Sequence, residues 1–210
     1  RAWLNDQAVA PRLLMFQDGE RRLTNLLHLA ELLHVASRSH PGMAGLLKWL
    51  GETDADPPLR AAVAVSVPFL LDACARRLGR GRSRLYQFHL LRELRRGYRG
   101  KFQHRTDGSI SLDQLTALRD FYAFDDRVTA PLHGYAGVHD YYARASCRPY
   151  LRRIRVPTLI LHALDDPFMS RDAIPEAAEL SASVRLEPSP HGGHVGFVDG
   201  RWPWRAGYWL

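Results

Sequence analysis

A short buried-strand segment ending in paired aspartates, followed by a glycine-rich segment with two histidines, constrains the fold of this chain most. The strand segment is Thr158–Ala163, the aspartates are Asp165 and Asp166, and the histidines lie in the run His191–Phe197. A mostly apolar run of this length is typical of a strand buried on both faces, as in a parallel sheet. The pattern therefore predicts an α/β fold.

Two further apolar segments complete the predicted sheet. Ala61–Val67 predicts a buried strand and Val184–Glu187 a shorter one, with helical sequence in between. Strands that alternate with helices pair in parallel through helical crossovers. We therefore expect about three parallel strands, with functional groups gathered at their carboxyl ends.

The ends of the second and third strands carry a candidate acid and a candidate base. Asp165 and Asp166 follow the second strand, and His191 and His194 lie on the loop after the third. A carboxylate at this place can orient an imidazole that acts as a general base. The alternatives for the two histidines are a surface loop or a pair of weak metal ligands, with Asp166 as a third ligand. No further ligand at a recognisable spacing accompanies the histidines.

No serine nucleophile on a Gly-x-Ser-x-Gly turn is present in the sequence. Ser66 ends a predicted strand, but Val67-Pro68 follows it where such a turn needs small residues. Ser83 has Gly81 before it, but Leu85 stands where the second glycine should be. Loss of the nucleophile of a triad costs roughly a million-fold in turnover. We therefore predict little or no ester hydrolysis by this chain alone, and Ser66, Ser83 or a partner's serine is the alternative nucleophile.

Five ordered stretches carry a family resemblance: Val65–Phe69, Thr129–Tyr135, Asp140–Ser146, Val156–Met169 and Ser189–Phe197. Through them, residues 59–210 resemble the C-terminal part of the YheT-type α/β hydrolases, a bacterial family of carboxylesterase type. The resemblance implies a partial α/β-hydrolase fold for residues 58–210, with a cap-like insertion at about residues 70–150.

The same resemblance implies the roles of the site residues. Asp166 would be the acid of a Ser–Asp–His triad and His194 its base, with Asp165 and His191 as supporting neighbours. The substrate would be a small acyl or ester compound, with neither cofactor nor metal. The family's nucleophile would lie some twenty residues before Ala61–Val67, where this sequence has Leu46–Leu50, which we interpret as a helix of different origin.

The sequence pattern of residues 1–57 predicts helices and no strands. Glu20–Val35 has apolar residues at helical spacing, Asp18 is a candidate N-cap, and a second short helix is expected at about Met43–Leu50. Because the composition changes at residues 52–58, we place a domain boundary after residue 57. The run Gly19–His34, supported by residues 41–43 and 47–50, resembles a helical segment of the RecB subunit of the RecBCD helicase–nuclease.

No helicase chemistry follows from that second resemblance, because the sequence contains no Gly-x-x-x-x-Gly-Lys-Ser/Thr phosphate loop. The simplest interpretation is a fusion of a helicase-derived fragment with the last part of a hydrolase. A true fusion gene and an assembly artefact are both compatible with the residues.

The positive charge of the chain raises a third hypothesis, a non-catalytic nucleic-acid-binding protein. The net charge is +7, and eleven lysines and arginines but only one acid, Glu93, lie between Arg76 and Arg105. Apolar residues at helical spacing favour a solvated helix face with its aromatic residues in the core; they are Leu85, Phe88, Leu91, Leu94 and Tyr98.

The remaining sequence features concern location and assembly. Cys74 and Cys147 are the only cysteines, too few for a disulfide framework, and the sequence shows neither a secretory signal nor a bilayer-spanning run. We therefore expect a cytoplasmic protein. The strand Ala61–Val67 would have an unpaired edge, which predicts self-association.

Overall fold

The centre of the fold is a three-stranded parallel sheet with the order β1–β2–β3. The structure, a computed structural model, describes residues 15, 44–53, 59–103, 110–199 and 207–208. The strands are β1 (Ala62–Val65), β2 (Thr158–Ala163) and β3 (Val184–Ser189), and Thr158 is in register with both Ala62 and Val184. The predicted parallel sheet is confirmed, although β1 is shorter than predicted and β3 extends two residues further.

Helices and turns surround this sheet in the described residues. The α-helices are α1 (Gly45–Glu52), α2 (Leu71–Leu78), α3 (Ser83–Phe102), α4 (Leu112–Leu115), α5 (Phe121–Phe124), α6 (Ala130–Leu132) and α7 (Val138–Ala145). A π-helix covers Asp125–Thr129, and 3-10 helices cover Arg148–Arg153, Arg171–Ala173 and Ala177–Glu179. Two short strands, β4 (Val198–Asp199) and β5 (Gly207–Tyr208), pair in antiparallel fashion.

Helix α1 packs in the same core as the sheet. One cluster of buried apolar side chains contains Leu47 and Leu50 of α1, Leu151 of the Arg148–Arg153 segment, and Ile160 of β2. This contact buries the apolar face of α1 against the Arg148–Arg153 segment. The boundary after residue 57 stays a prediction, and the predicted helix Glu20–Val35, its Asp18 cap and the run Gly19–His34 lie outside the described residues.

Side-chain caps fix the segment that packs against α3. The Ser111 hydroxyl accepts a hydrogen bond from the amide of Gln114 at the start of α4, and the Asp120 carboxylate accepts one from the amide of Ala123 in α5. Such caps satisfy amides that the first helical turn leaves unpaired. The two caps fix where α4 and α5 begin, and residues 116–120 connect these two helices.

The core face of α3 differs from the predicted one. Leu91 and Tyr98 are buried as expected, but Leu85 is 75% exposed, Phe88 67% and Leu94 42%. The buried side of α3 instead follows Ser83, Gln87, Leu91, Tyr98 and Phe102. Helical spacing fits both stripes, and contact with the cluster around Leu115, Leu118 and Phe124 selects the second. The prediction that Leu85, Phe88 and Leu94 belong to the core is wrong.

The sheet has an edge at β1 among the described strands. β1 pairs with β2 alone in that set, and its Val63 side chain is 59% exposed. Self-association through this edge stays a prediction. Across the ranges that the structure describes, no helix has the length and apolarity needed to cross a bilayer.

Candidate active site

Asp166 and His194 meet at the carboxyl end of the sheet. His194 Nδ1 lies 2.9 Å from Asp166 Oδ2, and Asp166 is only 3% exposed. The other carboxylate oxygen accepts a hydrogen bond of 2.8 Å from the amide of Phe168. The Phe168 ring stacks on the imidazole with 4.0 Å between ring centroids. Both members of the pair are therefore held in a fixed orientation.

Asp165 and His191 lie beside this pair at the surface. Asp165 Oδ1 accepts a hydrogen bond of 2.9 Å from the amide of Gly193, and Asp165 Oδ2 lies 3.5 Å from His191 Nδ1. The His191 side chain is 86% exposed. These contacts join the loop after β2 to the loop after β3, and the supporting role of the two residues stays a prediction.

The backbone of the histidine loop is unusual. Val195 and Phe197 have positive φ angles of 66° and 41°, which cost non-glycine residues about 1–3 kcal/mol each. The Phe197 amide donates to the Gly192 carbonyl at 2.7 Å and closes the turn. At Gly192, with φ +157°, a Cβ would approach the buried Phe197 ring to 2.9 Å. A glycine at this position lets Phe197 pack beneath the loop.

The two serines considered as substitute nucleophiles contact these loops. Ser66 is fully buried, has φ 50°, and its Oγ accepts a hydrogen bond of 3.1 Å from the Val195 amide. Ser83 Oγ donates to the Pro167 carbonyl at 2.7 Å. In the described part of the chain neither hydroxyl is hydrogen-bonded to the His194 imidazole. Each hydroxyl instead fixes one of the two loops.

His162 is a neighbour of the site that the sequence analysis did not single out. It is 1% exposed, its ring packs edge-on against Phe69, and its Nδ1 has no hydrogen-bond partner among the described residues. Burial lowers the pKa of His162, the Asp166 carboxylate opposes this effect, and His194 adds to it. Its position in a mostly apolar strand predicted burial, but not the proximity to the acid–base pair.

A metal ion is the alternative reading of the two histidines. Among the residues that the structure describes, no group of three or more His, Cys, Asp or Glu side chains is arranged to hold one. A carboxylate and an imidazole in such contact can act together in proton transfer. Because Asp166 contacts Nδ1, Nε2 is the ring nitrogen of His194 that this contact leaves available.

Comparison with known proteins gives the relatives of this chain. YheT of Escherichia coli (strain K12), whose name assigns it to the esterases, is 45% identical over 146 residues, which are 69% of this chain and 43% of that protein. The phospholipase ABHD3 of Mus musculus is 35% identical over 165 residues, 78% of this chain and 40% of the relative. The monoacylglycerol lipase ABHD2 of Bos taurus is 37% identical over 92 residues, which are 42% of this chain and 22% of that protein.

The chain spans less than half the length of each of these relatives. A sequence model described as the alpha/beta hydrolase fold matches residues 44–201. The matched range begins before the boundary predicted after residue 57 and therefore includes α1. The match covers most of the chain and agrees with its parallel sheet and the helices around it. This chain belongs to the family of hydrolases with the α/β hydrolase fold.

Proposed function

We propose that the chain carries the acid–base half of a site that hydrolyses carboxylic esters. The observation that carries the proposal is the contact of 2.9 Å between His194 Nδ1 and the buried carboxylate of Asp166. The names of the relatives, an esterase, a phospholipase and a monoacylglycerol lipase, all refer to ester bonds. The substrate class we propose is a small acyl or ester compound.

The roles of the pair follow from proton transfer. His194 Nε2 would take the proton of an attacking hydroxyl, Asp166 would stabilise the imidazolium, and the same proton would pass to the leaving alcohol. This sequence contains no Gly-x-Ser-x-Gly turn to supply that hydroxyl. We therefore propose that the chain alone hydrolyses esters weakly or not at all, and that Ser66 and Ser83 hold loops rather than attack.

A fluorophosphonate probe and a p-nitrophenyl ester together test this proposal. We expect no labelled serine and no hydrolysis above the buffer rate. The pair itself is tested by proton NMR, where a ring N–H on Nδ1 held by a carboxylate gives a far-downfield signal. That signal should persist in His191→Gln and disappear in His194→Gln and Asp166→Asn. Covalent labelling of Ser66 or Ser83 that is lost in His194→Gln would establish a non-standard nucleophile instead.

Nucleic-acid binding remains the second candidate function. The observation in its favour is the solvent-facing side of α3, where Arg92 and Arg96 are 61% and 83% exposed. A gel-shift assay at several salt concentrations measures nucleic-acid binding and its salt dependence, and so tests this hypothesis. Charge reversal at Arg92, Arg95 and Arg96 should abolish such a shift, and unchanged binding would exclude α3 as the surface.

The origin of the first residues is a separate proposal. We propose that α1 belongs to the hydrolase part, because it packs in the sheet's core and lies within residues 44–201 of the family match. A RecB-like segment would then lie before residue 44. Sequencing reads that run continuously across codons 35–62 would support a true fusion gene, and a break in coverage would indicate an assembly artefact. The cytoplasmic location stays a prediction.

A further inference from the structure

A cavity of about 330 Å³ lies between α3 and the segment that follows α4. Three of the described arginines line it: Arg84 and Arg95 of α3, and Arg119 of the segment after α4. Among the described residues that line this cavity there is no carboxylate. Three guanidinium groups around one space create a strongly positive potential, so the cavity favours an anionic ligand.

Hydrogen-bonding capacity in this cavity is unused within the described residues. Arg95 donates from Nη2 to the Leu118 carbonyl, but its buried Nε has no acceptor there. Gln87, which also lines the cavity, is 8% exposed, and its Oε1 has no donor. Arg84 and Arg119 form no ion pair with a described carboxylate. Because an unpaired buried polar atom is costly, a ligand with acceptor oxygens and a hydroxyl would relieve that cost.

The other described residues that line the cavity are Phe88, Leu91 and Thr116. Leu91 is buried and Phe88 is 67% exposed, while Leu85 is 75% exposed on the same helix. Two apolar side chains, Phe88 and Leu91, next to three guanidinium groups suit a ligand whose anionic group is attached to an organic body. Guanidinium groups bind phosphate oxygens through paired N–H donors, and the volume is at the small end of ligand sites.

We propose that this cavity binds the phosphate group of an organic phosphate ester, carried either by a phospholipid headgroup or by a soluble molecule such as a phosphorylated polyol. The proposal is independent of ester hydrolysis, because it is tested by binding alone. The helix that carries it does border the candidate active site. Tyr86 of α3 packs edge-on against Phe168, the residue that stacks on His194.

Two pairs of substitutions with equal loss of charge test the cavity. Arg84→Gln with Arg119→Gln removes two guanidinium groups that line it, whereas Arg92→Gln with Arg96→Gln removes two that lie outside it and pair with Glu93. Calorimetric titration of the full chain with glycerol 3-phosphate, with glycerol as the neutral control, measures binding of the soluble ester. Flotation with phosphatidylcholine vesicles, with and without phosphatidylglycerol, measures binding of the lipid.

We expect the first pair to weaken binding at least about tenfold and the second pair to change it less than about twofold. Replacement of Arg84 and Arg119 by lysine should give an intermediate affinity, because lysine keeps the charge but loses the paired donors. Thermal melts of the variants without ligand establish that they are folded. Binding of glycerol 3-phosphate identifies a soluble ligand, and binding of phosphatidylglycerol vesicles alone identifies the lipid.

Three results would overturn the proposal. The first is that the unmodified chain binds neither probe. The second is that both pairs of substitutions weaken binding equally, as a general attraction of anions to a basic helix would require. The third is that the lysine variant binds as weakly as the glutamine variant. A single-stranded oligonucleotide that binds, and is weakened equally by both pairs, would favour the nucleic-acid surface of α3 instead.

Discussion

His162 occupies the position before the last in β2, ahead of the loop that carries Asp166. Burial lowers its pKa from the ordinary value of 6.5, because the imidazolium would lose its hydration. The folded protein therefore keeps His162 neutral at pH values where the unfolded chain binds a proton. Below pH 6.5 the unfolded state binds more protons, so stability falls with decreasing pH until the lowered pKa of the folded state is reached.

Replacement of His162 by Phe should remove this acid sensitivity. We expect the unmodified chain to lose up to about 1.4 kcal/mol of its unfolding free energy per pH unit below about 6.5 on account of this residue. The variant should lose correspondingly less, whatever its stability at neutral pH. Urea unfolding at several pH values measures both slopes. The exposed His191→Gln variant should keep the original slope, and an unchanged slope in His162→Phe would contradict the assignment.

Single residues also show what sequence reasoning can and cannot reach at the site. The sequence predicts that Asp166 and His194 lie close together, because the carboxyl ends of neighbouring parallel strands share one edge of a sheet. The contacts of Ser66 with Val195 and of Ser83 with Pro167 obey no such rule. The two residues of the first contact are 129 positions apart in the sequence, and those of the second are 84 positions apart. Both contacts depend on the course of two irregular loops.

At the scale of elements, α1 and α3 show the limit of helical periodicity. It located α1 to within two residues, and it predicted that α3 is amphipathic. It could not predict which core α1 packs in, because an apolar stripe on a helix does not identify the element that it contacts. In α3 two overlapping stripes satisfied the same spacing, and only the position of Leu115 and Leu118 distinguishes them.

The packing of α1 gives a prediction at Gly51. A Cβ at this position would approach the Tyr150 carbonyl oxygen to 2.4 Å, and a backbone atom cannot move aside cheaply. Gly51→Ala should push α1 away from the Arg148–Arg153 segment and lower the unfolding free energy by about 1–3 kcal/mol. Urea unfolding measures the loss.

The matched control lies in α3. Among the described residues, and apart from the nearby chain of α3 itself, no atom lies within 4 Å of a Cβ built at Gly97, and alanine favours the helix over glycine. Gly97→Ala should therefore gain up to about 1 kcal/mol. If Gly51→Ala proved as stable as Gly97→Ala, α1 would not be packed in the core as described.

For the molecule as a whole, the two cysteines report on one core. Cys74 is 7% exposed and Cys147 is fully buried, and both belong to the cluster that joins α1 to the sheet. Burial raises the pKa of each thiol to about 12, and the Asp166 carboxylate contributes at Cys74. Since the thiolate is the reactive form, the folded protein protects both cysteines at neutral pH.

Thiol labelling with a chromogenic disulfide should therefore follow unfolding of this core. We expect Cys74 and Cys147 to react at the same rate, because opening the core exposes both. Where opening is rapid compared with labelling, the rate follows the population of the open state, so each loss of about 1.4 kcal/mol in stability should accelerate labelling about tenfold. Gly51→Ala should thus react faster than Gly97→Ala at both positions. Fast reaction of one cysteine while the other stays protected would show that α1 and the sheet do not unfold as a unit.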